Sequence, residues 1–127
     1  MHQVRMFIVD GQIVYIHPDT NHPAHDQPGN SLRVRPGEKV RFTSRDGGFS
    51  IEFKTESPFV SGAGAPGRPI VSSNGSFTPA QTIKRTISVT KRFLYTTTLA
   101  NIIGDAEIIV DDGGGARGSA KKAKRPK

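Results

Sequence analysis

Three features predict an all-β fold, an antiparallel sandwich of short strands. Apolar residues recur with a period of two in several windows, 14 glycines and nine prolines punctuate the 127 residues, and no window sustains a helical period. A chain of this length buries roughly two thirds of its unfolded surface, enough for one continuous core.

The elements follow in order. Residues 4–9 alternate weakly, and Asp10-Gly11 is a strong turn dipeptide before the apolar run 13–16, which gives a hairpin or one bulged strand. Residues 17–31 turn to His, Pro, Asp, Asn and Gly, a loop long enough to be functional or mobile. Residues 32–35 read as a short strand closed by Pro36-Gly37, a type II turn in which proline fixes the first dihedral and glycine supplies positive φ. The clearest pattern comes next. Val40 and Phe42 point one way against Lys39, Arg41 and Thr43; Phe49, Ile51 and Phe53 then point inward against Ser50, Glu52 and Lys54. Residues 45–48 are expected to be the turn joining this strand pair.

Residues 56–80 are rich in Gly, Pro and Ser, with one weak strand at 69–72. A strand is expected over 81–89, with Ile83, Ile87 and Val89 on one face and Arg85 in the same row, as at a sheet edge. Another covers 92–99, aligning Phe93, Tyr95, Thr97 and Leu99; a loop covers 100–105, and 106–110 is the last strand. The body is expected to span 1–112. Residues 113–127 offer nothing large and apolar to pack and are expected to be a disordered basic tail.

The net charge of +7 is unevenly placed. Residues 1–112 hold 12 lysines and arginines against 11 carboxylates, while residues 113–127 hold six cations and no acid. Polyanion binding is therefore expected of the tail, through Arg117, Lys121, Lys122, Lys124, Arg125 and Lys127, and without sequence preference, since no aromatic side chain lies among them. A merely solubilising tail is the alternative.

Pro36-Gly37-Glu38 leading into VRFTSRDGGFSIEF, Ser57-Pro58-Phe59, and the closing FLYTTTLANIIGDAEIIVDD together resemble a cupredoxin-like domain over residues 4–110. The resemblance implies a Greek-key β-sandwich. Copper members of that family carry a histidine after the first strand pair, then a cysteine, a histidine and commonly a methionine in and after the penultimate strand. By that resemblance Phe49 stands at the first histidine and Thr97 at the cysteine. The chain has no cysteine, no histidine beyond His25 and no methionine beyond Met6. A blue-copper site needs imidazoles and a thiolate, so electron transfer is not expected, and Phe49 is expected in the core.

Other chemistry is sparse. His17, His22 and His25, with Asp19 and Asp26, form the one cluster of metal-ligand character, expected to take divalent ions weakly and adventitiously. Gly62, Gly64 and Gly67 lack the lysine and helix of a phosphate loop and read as a mobile surface loop. No acid, base and nucleophile set emerges, and thiol catalysis is excluded. The expectation is a non-enzymatic, cofactor-free, metal-free binding or scaffold module with a protein partner, or a nucleic-acid-associated protein acting through its tail. Asp10 interrupts the first apolar run before it reaches the length of a secretory signal, so a soluble cytoplasmic protein without a membrane partner is expected.

Overall fold

Turn chemistry sets the first strand boundaries. In the computed structural model, which describes residues 1–17, 27–28 and 30–111, β1 (His2–Val9) and β2 (Gln12–His17) form a hairpin. Asp10 and Gly11 join them with φ of 52° and 77°, the two-residue geometry whose twist matches that of the strands. The next strands are β3 (Gln27–Pro28), paired with β2, and β4 (Ser31–Val34). The Pro36-Gly37 turn forms as expected: Gly37 has φ 87° and the Glu38 N–H donates to the Arg35 carbonyl at 3.1 Å.

The remaining strands are β5 (Lys39–Ser44), β6 (Phe49–Phe53), β7 (Ile70–Ser72), β8 (Gln81–Thr82), β9 (Lys91–Leu99) and β10 (Ile102–Val110). No helix occurs among the described residues, and therefore none long and apolar enough to cross a membrane. One sheet has the order β3-β2-β1-β5-β8, the other β4-β10-β9-β6-β7. Their inner rows share one core: Val4, Met6, Tyr15 and Phe42 from the first sheet pack with Ile51, Tyr95, Leu99 and Ile108 from the second. Tyr95 bridges the layers, with its ring centroid 6.2 Å from that of Tyr15 and 5.9 Å from that of Phe42, both edge-on. The result is a β-sandwich-like body.

Four expectations need correction. The sheets are mixed, not antiparallel: β1 runs parallel to β5, with Val4 opposite Phe42, and β4 runs parallel to β10, with Leu32 opposite Ile108. Residues 45–48 do not close a strand pair. They carry the chain from β5 in one sheet to β6 in the other, and side chains extend the abandoned ladder: Ser44 Oγ donates to the Met6 carbonyl, and Asp46 accepts from the Ile8 N–H, both at 2.7 Å.

The strand expected over 81–89 shrinks to β8. Its pairing with β5 stops at the Pro36-Gly37 turn, where Ile83 N–H donates to Glu38 O and Gly37 N–H to Ile83 O. Ile83 is buried, whereas Val89 is exposed. Arg85 lies over Gly37 and not in an inner row. Finally, the loop expected over 100–105 is only Ala100-Asn101, with φ of 50° and 67°, and β10 begins at Ile102. Gly104 faces inward on that strand; a Cβ there would lie 2.9 Å from Tyr15 Oη, so its missing side chain is the room the phenol occupies.

The glycine-rich stretch is folded into successive turns, with hydrogen bonds from Gly62 N–H to Phe59 O, Gly64 N–H to Arg68 O and Arg68 N–H to Ala65 O. Phe59, fully buried, anchors it beside Ile83.

Candidate functional site

The outer face of the first sheet is built by alternation. With Val4, Met6, Val40 and Phe42 turned inward, β1 must present Arg5 and Phe7 outward and β5 must present Arg41 and Thr43. The parallel register sets Arg5 beside Thr43 and Gln3 beside Arg41. Arg45 follows at the exit of β5.

A further ring arrives from residues 75–78, which run along the edge of β5 beyond its short pairing with β8. The Ser44 N–H and Thr43 Oγ1 both donate to the Gly75 carbonyl, at 2.9 and 2.7 Å. Phe42 N–H donates to Thr78 Oγ1 at 3.0 Å, and Thr78 N–H returns a bond to Phe42 O at 2.9 Å. With Thr78 buried, Phe77 projects outward and keeps 39% of its surface exposed. The Arg41 guanidinium lies 3.8 Å from the Phe77 ring centroid, a cation–π contact that fixes both groups.

Arg5, Phe7, Thr43, Ser44, Arg45 and Phe77 line a depression of about 220 Å³. Its lining contains no carboxylate. Among the described residues, Arg5, Arg41 and Arg45 have no carboxylate partner, and Asp46, next in the chain, is committed to Ile8. The opposite face of the sandwich differs. There Arg33 pairs with Asp111, Arg92 with Glu107 and Lys54 with Asp105, so its cations are matched. A near-neutral sum over the body thus conceals one face of unmatched positive charge.

A second depression, of about 310 Å³, lies on that matched face between Ser50, Thr96 and Thr98, with Glu52 and Lys54 at its border. Opposite charges on its walls give it no sign preference for a ligand.

Phe49 and Thr97 are both buried, Phe49 within the core cluster and Thr97 on the inner row of β9. The hydroxyls of Thr97 and Tyr15 are buried beside each other, and that of Tyr95 has no hydrogen-bond partner among the described residues. Burial pushes both phenols up, Tyr95 well above the usual tyrosine value; for Tyr15 the neighbouring Thr97 hydroxyl offsets part of the shift. These groups are protonated at neutral pH and offer neither thiolate nor imidazole to a metal.

His17 ends β2 and is held neutral, its pKa lowered to about 4 by burial and then by the nearby His2. His2 in turn donates to Glu38 Oε1 across 2.9 Å when its Nε2 carries hydrogen. No group of three or more His, Asp or Glu among the described residues is placed to hold a metal ion. His22 and His25 lie outside the described residues, as do Arg117, Lys121, Lys122, Lys124, Arg125 and Lys127 of the tail.

Sequence reasoning turned Arg41 outward and set Arg45 in a turn, but gave neither a role and passed over Arg5, Phe7 and Phe77. The alternation Arg5-Met6-Phe7 was a signal; its meaning depends on β5 lying alongside. No protein-family model and no curated protein matches the chain.

Proposed function

We propose that the chain is a non-enzymatic, cupredoxin-like binding module, free of copper chemistry, that takes an anionic partner on the outer face of its first sheet. The observation that carries this reading is the set of three arginines without carboxylate partners among the described residues, gathered around Phe7 and Phe77. A guanidinium is charged at every physiological pH and presents a planar fork of donors that fits carboxylate or phosphate oxygens. Arg5 and Arg45 are exposed, while Arg41 is held in place by its ring contact. The absence of cysteine removes thiolate ligation, and Phe49 and Thr97 sit where the cupredoxin resemblance would set a histidine and the cysteine.

The tail adds to this reading. Six cations without an acid over residues 113–127 favour nonspecific attraction of polyanions.

Calorimetric titration of the full chain with inorganic tripolyphosphate tests the proposal. Binding is expected to weaken with salt and to fall at least five-fold in an Arg5→Ala/Arg45→Ala double variant. Affinity unchanged in that variant would refute the assignment.

A further inference from the structure

We infer that the anion taken by this face is single-stranded nucleic acid, with a base stacked against the phenylalanine rings and phosphates held by Arg5 and Arg45. The inference rests on the anion-binding reading and specifies its ligand.

Charge alone would suit an acidic peptide equally well; the rings decide between them. Phe77 is large and apolar, yet it is held out of the core by the reciprocal Phe42–Thr78 bonds after it in the chain and by the bonds of Thr43 and Ser44 to the Gly75 carbonyl before it. Its position over Arg41 and beside Phe7 gives the depression aromatic and cationic walls together. Unpaired bases use such a combination, because every base has a π-face to stack and a phosphate close by on the same strand. An acidic side chain gains nothing from the rings.

Duplex nucleic acid fits less well. Its bases are stacked on each other and reach such a depression only when unpaired. The depression also lies on a sheet face, where successive strands can present side chains along an extended chain of nucleotides. The basic tail, with no aromatic residue, supplies charge but no such stacking, so the preference for single strands is a property of the body.

Fluorescence anisotropy with the full chain and a labelled 12-residue oligothymidine tests this. Competitors are an unlabelled duplex of equal length and a polyglutamate peptide of equal charge. The oligothymidine is expected to bind in preference to both competitors. Phe77→Leu, which keeps apolar bulk without the ring, should weaken oligothymidine binding about ten-fold and tripolyphosphate binding by a clearly smaller factor, the part owed to releasing Arg41 from the ring. Phe77→Tyr should restore oligothymidine binding. Arg5→Ala/Arg45→Ala should weaken both ligands.

Each other pattern has a distinct reading. If the arginine variant weakens both anions but Phe77→Leu weakens oligothymidine no more than tripolyphosphate, base stacking is refuted and the anion-binding module stands. A preference for polyglutamate or for the duplex likewise overturns the nucleic-acid assignment alone. If the arginine variant changes nothing, and binding is lost only when the six tail cations are replaced by glutamine, both readings fall.

Discussion

Ala100 occupies left-handed backbone, at φ 50°, in the two-residue turn between β9 and β10. That conformation costs a non-glycine residue about 1–2 kcal/mol, and glycine returns part of the gain through a freer unfolded chain. Ala100→Gly is therefore expected to stabilise by about 0.5–1 kcal/mol, read as a higher denaturant midpoint at unchanged slope. Gly75 and Gly67 have nearly the same φ, 89° and 84°, in different surroundings. A Cβ on Gly75 would clash severely with the Ser44 carbonyl oxygen, while one on Gly67 meets nothing within 4 Å. Gly75→Ala should cost well above 2 kcal/mol, and Gly67→Ala only about 1 kcal/mol. Equal losses in urea melts would show that the approach of residues 75–78 to β5 is looser than described.

His17 gives a pH dependence of known sign. Its folded pKa, about 4, lies below the ordinary histidine value of 6.5, so the unfolded chain binds the proton more readily. The stabilisation is complete above about pH 6.5 and is lost as pH falls towards 4. His17→Gln should flatten the fall of the melting temperature across that window. A wild-type and variant difference confined to pH above 7 would contradict the assignment.

At the scale of elements, residues 75–78 serve as an extra edge of the first sheet and carry Phe77 to the arginines. Thr78→Val removes the acceptor for the buried Phe42 N–H at nearly equal volume, and should cost about 1–3 kcal/mol. If Phe77 is held by this segment, the same variant also weakens oligothymidine binding at temperatures where it stays folded.

The strands with strong period-two patterns, β5, β6 and β9, were legible in the sequence because one face of each is buried, and so was the Asp10-Gly11 turn. Pairing was not legible. The turn at 45–48 looks locally like a hairpin loop, and only the distant β1 and β9, which claim β5 and β6 respectively, show it to be a crossing between sheets. Ala100-Asn101 was missed because Ile103 and Asp105 face outward and Gly104 carries no side chain, so the inner row of β10 seemed to begin only at Ala106. The arginine face failed to appear for the same reason. Arg5 and Thr43 are 38 positions apart, and only the parallel register sets them side by side.

For the whole molecule, the two outer faces divide the charge among the described residues: matched ion pairs on the second sheet, unmatched arginines on the first. Exposed pairs such as Lys54–Asp105 contribute little to stability, so salt should scarcely move the melting temperature while it weakens ligand binding strongly. Duplex DNA engaged by all six tail cations would show a log–log salt slope of about −5. Single strands held by the body add a contribution that survives neutralisation of the tail.

The most direct test is an amide and side-chain NMR titration of the full chain with oligothymidine. The account predicts that shift changes concentrate at Arg5, Phe7, Arg41, Thr43, Arg45 and Phe77, with the guanidinium resonances of Arg5 and Arg45 among the most affected. Changes confined to residues 113–127, or centred on Thr96 and Thr98 of the opposite face, would contradict it.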